Sequence, residues 1–257
     1  MNLSLGDTRL IIDTCKKYGL LRNQCAYVLA TAYHETAHTM KPVRETRASS
    51  DASAKAILTK AFKAGKLPWV TKDYWTSGYF GRGYSQLTHY VNYLKAGTAL
   101  GVNLVGNPSL ALEPVTAANV IVLGMKEGWF TNKRLSEFVT LQKSNFFDAR
   151  SIINGDKNKP VKKGSKETIG QMIAGYAKQY DALLKAEGYG ETGSSLEETQ
   201  PWTPPPPPQP IPSKPVVVHV DPDGSVKPGK SPVKTVERNP IWAAFLAILK
   251  AIFRRGK

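Results

Sequence analysis

Thirteen of the 18 prolines in this 257-residue chain fall between Pro201 and Pro240, five of them consecutively at 204–208. Where φ is locked and backbone N–H groups are missing at that density, neither a helix nor a central strand can form. The segment reads as an extended, semi-rigid spacer. The composition changes abruptly near residue 191, which confines the foldable part to residues 1–190. Residues 191–240 are then a disordered Pro-rich linker, and 241–257 a separate appendage. With 41% hydrophobic residues overall, the first 190 residues suffice for one packed domain.

The formal charge is +15, from 35 Lys and Arg against 20 Asp and Glu. Such a balance calls for anionic partners. No zinc-finger spacing, RNP-type aromatic-basic pattern or uninterrupted basic helix is present, so nucleic acid is not the expected one. The appendage supplies a different candidate. In NPIWAAFLAILKAIFRRGK (239–257), Asn239 and Pro240 suit a helix start. Ile241, Phe245, Ile248 and Ile252 share a stripe flanked by Trp242 and Phe253, while Lys250 and Arg254 lie on another face. The apolar run falls short of the roughly 20 residues needed to span a bilayer. A basic amphipathic helix lying in a membrane interface fits better. Trp242, Phe245, Lys250, Phe253, Arg254 and Arg255 are its expected contacts with an anionic membrane or outer-membrane surface; a helix docked back onto the first domain is the alternative.

Residues 1–19 lack a basic n-region and a long apolar run, so no secretory signal is expected. Cys15 and Cys25 are too few for a disulfide or metal framework, and Cys25 falls on an apolar helical face as a reduced core residue would. No cofactor is expected, and a monomer is.

Apolar spacing at Cys25, Val28, Leu29, Ala32 and Tyr33 predicts a helix that Pro42 limits. Residues 115–128 and 167–187 predict two more, and strand-like alternation is scarce. The fold class expected is mainly α, a lysozyme-like domain with a catalytic cleft. At the end of the first of these helices stands His34-Glu35-Thr36-Ala37-His38, which fits the H-E-x-x-H pattern of zinc peptidases. A third ligand is obligatory there. The extended pattern would need a ligand at 44, where Arg44 stands, and no glutamate occurs between Glu45 and Glu113. Zinc peptidase chemistry is therefore the lesser reading, and no metal site is expected.

Glu35 projects from the helix's own apolar stripe. Desolvation there favours the neutral carboxyl and raises its pKa, as a general acid needs. Glu45 follows ten residues later, past Pro42, and a second carboxylate is what glycoside hydrolysis requires. Arg44 and Arg47 flank Glu45 and are expected to hold it ionised; Asp51 and Asp73 are fallback bases.

The segment YFGRGYSQLTHYVNY (79–93) makes a resemblance specific. A helix-borne HET, a loop glutamate and then GRGxxQLTxxxNY resemble glycoside hydrolase family 19, a group of chitinases and many bacteriophage endolysins. NPSLALEP (107–114) and ARSIINGDKNK (149–159) are similar to it as well, so the likeness covers about residues 20–185. The resemblance implies that Glu35 is the general acid, Glu45 the general base and Thr88 the hydroxyl that helps hold the attacking water. It implies inversion at the anomeric carbon, hence carboxyls roughly 6.5–9.5 Å apart. Tyr79, Arg82, Gln86, Asn92 and Asn154 are the implied substrate-binding residues, although Arg82 equally suits an internal ion pair. Gly81 and Gly83 suit turn geometry. Tyr84 and Tyr93 suit the core, as do Trp69, Trp75 and Trp129.

Chitin and the glycan strands of peptidoglycan share β-1,4-linked N-acetylated sugars. A signal-less, basic chain with an amphipathic tail suits a phage endolysin of muramidase type better than a chitinase. It would be made in the host cytoplasm and reach the wall through a holin or its own tail. A lytic transglycosylase, needing one acid only, is a variant of the same reading.

Overall fold

The structure, a computed structural model, describes residues 1–190 apart from residue 69. The linker, the appendage with Trp242, Phe245, Lys250, Phe253, Arg254 and Arg255, His219 and Trp69 lie outside the described residues. The mainly α, lysozyme-like architecture expected from the sequence is the one observed, with eight α-helices and one two-stranded sheet among the described residues. None of the described helices is long and apolar enough to cross a membrane.

Helix α2 (Arg22–Glu35) is the axis of the domain. Its segment CAYVLATA, residues 25–32, is buried on every side. A helix without a polar face must be enclosed, and Ala26, Ala30 and Ala32 let neighbours approach closely. Those neighbours are α1 (Thr8–Lys17), α5 (Pro114–Glu127) and the long α8 (Ile169–Ala186). The two helices expected at 115–128 and 167–187 are α5 and α8. Pro114 opens α5 at its first turn and Gly128, in the left-handed conformation, closes it, the usual division of labour between these two residues. Thr168 and Gln171 form a capping box at the start of α8. Cys15 and Cys25 are fully buried free thiols in this core.

Helix α2 ends at Glu35, seven residues before Pro42. The Thr36 hydroxyl donates to Ala32 O at 2.8 Å and accepts from Met40 N at 3.0 Å. The chain then turns through positive φ at Ala37, His38 and Met40. The stop is thus set by side-chain capping and a left-handed turn, not by the proline.

Beyond that turn, β1 (Val43–Arg44) pairs antiparallel with β2 (Arg82–Gly83), Val43 opposite Gly83 and Arg44 opposite Arg82. Gly83 has φ 84°, and a Cβ there would sit 2.8 Å from Ala111 O, so only glycine fits. Helix α3 (Asp51–Lys63) packs with Trp75 and Phe80 into a second apolar cluster. Helix α4 (Tyr90–Leu100) joins Tyr93 and Trp129 in a third. Tyr84, Tyr93, Trp75 and Trp129 are all core residues, as their sequence context suggested. The short helices α6 (Leu135–Phe138) and α7 (Phe146–Ala149) lead to a 3-10 turn at Arg150–Ile152.

Candidate active site

Two buried carboxyl centres flank the turn between α2 and β1. The first is Glu35, 2% exposed at the last turn of α2. Its Oε1 accepts a 2.5 Å bond from Arg150 Nη1, and Arg150 in turn binds Asp156 through Nε at 2.7 Å and Nη2 at 3.2 Å. Arg150 and Asp156 are each 1% exposed. Burial pushes the Glu35 carboxyl up to about 7, against the opposing pull of Arg150 and with a further push from Asp156. Asp156 behaves in the opposite way: burial favours its neutral form, but the Arg150 charge and hydrogen bonds outweigh it and hold the carboxyl below its ordinary range. One guanidinium therefore keeps Asp156 ionised and leaves Glu35 able to carry a proton near neutrality.

The second centre is Glu45, 8% exposed, at the head of a 3-10 turn (Glu45–Arg47) that continues β1. Its backbone N–H extends the ladder to Gly81 O at 2.7 Å. The carboxylate itself accepts from the Tyr74 hydroxyl at Oε1 and from Gly81 N at Oε2, 2.8 Å. A Cβ at position 81 would lie 2.7 Å from Gln86 Oε1, so the glycine lets the backbone donor come this close. Burial raises the Glu45 pKa, while Tyr74, the Gly81 amide and the charge of Arg82 all work to lower it.

The expected role of the flanking arginines needs correction. Arg44 turns away from Glu45 to Asp51 Oδ1, 2.8 Å, and to Ser49 O. The guanidinium whose charge acts on Glu45 is that of Arg82, and the net shift is upward. Arg82, expected among the substrate-binding residues, is 1% exposed. It binds Asp51 Oδ2 at 2.6 Å, Tyr93 Oη at 2.9 Å and Gly78 O at 2.9 Å, and lies over the Phe80 ring at 3.8 Å. Of its two foreseen roles it takes the internal ion pair, because a guanidinium this deep needs compensating partners; its two terminal nitrogens have them, while Nε has none among the described residues. Asp51 is the other half of that pair. Burial pushes its pKa up, yet Arg44 and Arg82 together hold it low.

Thr88 and the remaining expected substrate-binding residues, Asn154 apart, lie within the 79–93 segment that contains β2, the strand paired with β1. Thr88, half-buried, donates to Gln86 O at 2.7 Å, and Asn92 donates to Thr88 O at 2.8 Å. Gln86 is buried, with φ 53°, and its amide N–H group binds Val43 O and Gly83 O across the sheet. Tyr79 spends its hydroxyl on Val105 O at 3.1 Å and packs its ring on Tyr90 and Tyr93. Asn154 accepts from Gly155 N at 2.7 Å, within the 3-10 turn region that holds Arg150. Thr46 Oγ1, Ser85 Oγ, Gln86 Oε1 and Asn154 Nδ2 are buried polar atoms with no hydrogen-bond partner among the described residues, the kind of group that calls for an explanation in a folded protein. Asp73 precedes the 3-10 turn at Tyr74–Ser77.

Sequence reasoning missed Arg150, Asp156 and Tyr74. The first two lie inside ARSIINGD, where a lone arginine and aspartate in an apolar context signal a buried pair. Tyr74 carries no comparable mark.

The H-E-x-x-H pattern does not form a zinc geometry. Because α2 stops at Glu35 and residues 37 and 38 have positive φ, the two histidines do not share a helix face four residues apart. His34 is buried beside Arg150 and Asp156, its pKa pushed down to about 3 by burial and by Arg150. His38 is exposed and stacks on Tyr33 with centroids 4.3 Å apart. Among the described residues no group of three or more His, Cys, Asp or Glu is placed to hold a metal ion.

Comparison with known proteins covers much of this geometry. The family model for class I chitinases matches residues 25–134. Over that stretch the chain is similar to glycoside hydrolase family 19. Chitinase 11 of Oryza sativa subsp. japonica is 32% identical to this chain over 126 residues, 44% of the chain and 48% of the rice protein. The chain thus spans about half the length of that curated relative. The stretch matched by the family model contains Glu35, Glu45, Tyr74, Gly81 and Thr88 but ends before Arg150 and Asp156, so the first carboxyl centre is completed by residues outside it.

Replacing Tyr74 with phenylalanine removes one of the two donors to Glu45. Glycan cleavage is expected to fall about tenfold, the loss of one charge-assisted hydrogen bond. The acidic limb of the pH–rate profile should move to higher pH, because the charged form of Glu45 loses support. An unchanged acidic limb in pH-resolved kcat/KM would remove Glu45 from the chemistry.

Proposed function

We propose that residues 1–190 are an inverting glycoside hydrolase that cleaves β-1,4 bonds between N-acetylated sugars in peptidoglycan. The observation that carries this reading is the contrast between two buried carboxyls. Glu35 is raised to about 7, opposed only by Arg150. Glu45 is raised by burial too, but a hydroxyl, a backbone amide and a nearby guanidinium all favour its charged form. Both carboxyls are raised, but the difference in partners assigns the roles: Glu35 holds a proton as the acid, and Glu45 has the better-supported anion as the base. Glu35 gives its proton to the glycosidic oxygen as the bond to the anomeric carbon breaks. Glu45 takes a proton from the water that attacks the opposite face, with Thr88 helping to hold that water.

The basic charge and the amphipathic sequence at 241–257 support a role in host lysis, as a muramidase-type phage endolysin drawn to an anionic membrane or outer-membrane surface. In that role the chain acts as a monomer on the wall after holin- or tail-dependent release from the host cytoplasm. Chitin is the second reading, favoured by the name of the rice relative.

Mass spectrometry of the products from purified peptidoglycan, with and without EDTA, tests the proposal. Reducing N-acetylmuramic acid ends unaffected by EDTA are expected. The rate should fall as pH rises through about 7, where Glu35 loses its proton, and fall again on the acid side as Glu45 gains one. Cleavage of chitin alone would favour the second reading; anhydro-sugar ends would show a transglycosylase; EDTA-sensitive peptide cleavage would overturn the glycosidase reading.

A further inference from the structure

Between Asp51 and Asp73 the chain carries Lys55, Lys60, Lys63, Lys66 and Lys72 and no acidic residue. Lys55, Lys60 and Lys63 lie on α3 and, with Ala56, Thr59 and Ala64, line a shallow groove of about 620 Å³. None of these three lysines has an ion-pair partner among the described residues. The C-terminal carbonyls of α3 favour cations at Lys60 and Lys63, but they do not account for Lys55. Asp51, four residues before Lys55, is committed to Arg44 and Arg82 instead, and Lys60 and Lys63 have no carboxylate at i±4. The small side chains at 56, 59 and 64 leave the floor open to an approaching group.

The groove is fixed to the Glu45 centre. Asp51, the first residue of α3, bridges Arg44 at 2.8 Å and Arg82 at 2.6 Å. Thr59 accepts from the Trp75 indole N–H at 2.9 Å, and the adjacent Tyr74 holds Glu45. We infer that this lysine groove is a subsite for carboxylates carried on the substrate, and that it gives peptide-bearing glycan an advantage over neutral glycan. The inference rests on the glycan-cleaving reading of the site. Its ligand is the acidic stem peptide of peptidoglycan, whose free carboxylates match three unpaired ammonium groups.

The test is co-sedimentation of the full chain with purified peptidoglycan, before and after carbodiimide amidation of its carboxylates. It compares the wild type with a triple variant, Lys55→Gln, Lys60→Gln and Lys63→Gln. Glutamine keeps helix propensity, and thermal melting checks the fold. The triple variant should bind about tenfold more weakly at low salt, a sum of modest exposed contributions. Amidation should weaken the wild type equally and leave the variant unchanged, high salt should erase the difference, and the Lys→Arg triple should bind as the wild type does. The ratio of kcat/KM on peptidoglycan to that on a neutral N-acetylglucosamine oligomer should fall about tenfold as well. Equal binding by wild type and variant, or binding that survives amidation, overturns the inference; the latter would point to a phosphate-bearing component instead. A wild type that binds in an amidation-sensitive way but cleaves neither substrate defeats the glycosidase reading and leaves the groove standing.

Discussion

The Glu35→Gln variant is expected to lose two to four orders of magnitude in glycan cleavage, the usual contribution of a positioned general acid, without losing stability. Both halves follow from burial. The carboxyl is 2% exposed and raised to about 7, so the folded chain holds a proton there that the unfolded chain releases near 4.5. The wild type therefore has this contribution in full below about 4.5 and loses it as pH rises to about 7. A shift of that size corresponds to about 3 kcal/mol. Glutamine is neutral at every pH, so the melting temperature of the variant should match the wild type at pH 4 and exceed it at pH 8. Paired melts and rates at the two pH values check this. A variant that melts lower at pH 8 would mean that Glu35 is ionised in the fold and serves as a structural counter-ion to Arg150.

The largest effect on stability is expected at Arg150. Replacement by methionine leaves Glu35 and Asp156 buried without their shared cation. Breaking a buried pair from one side costs about 3–5 kcal/mol, or about 10 °C in melting temperature for a domain of this size. The double variant Arg150→Met, Asp156→Asn should recover part of the loss, since it removes the uncompensated charge as well. Arg150 also acts through Glu35. Without it the Glu35 proton is held more tightly, and the alkaline limb of any residual activity should move to higher pH. Differential scanning calorimetry reads the first effect and the pH profile the second. A wild-type melting temperature in the single variant would show that the 150–156 turn is held by packing alone.

The helical core was legible because its signal is local. The apolar stripe of α2 marks both its burial and the desolvation of Glu35, and Pro114 and Gly128 bracket α5. The surroundings of Glu45 were only half legible. Its ten-residue spacing from Glu35 and the GRGxxQLT stretch marked the place. The donors that hold it, Tyr74 and the Gly81 amide, arrive through strand pairing, which two-residue strands barely announce. Neighbours in sequence misled: Arg44, adjacent to Glu45, spends its charge on Asp51, while Arg82, 37 positions away, supplies the field. The end of α2 was misplaced for a related reason. Thr36 reads as an ordinary residue until its hydroxyl is seen closing the helix and receiving Met40 N. Arg150 and Asp156 depend on a contact 115 residues long in sequence, beyond the reach of periodicity.

That same contact fixes when the chain can become active during its own synthesis. Helix α2 emerges from the ribosome early, but its enclosing partner α8 and the guanidinium beside Glu35 are made more than a hundred residues later. A nascent or prematurely terminated chain ending before residue 150 holds both carboxyls of the proposed mechanism yet has neither Arg150 to orient the acid nor α8 to bury it. The proposed constellation is thus a late product of translation, and half-made chains carry its two carboxyls without the contact that joins Glu35 to Arg150.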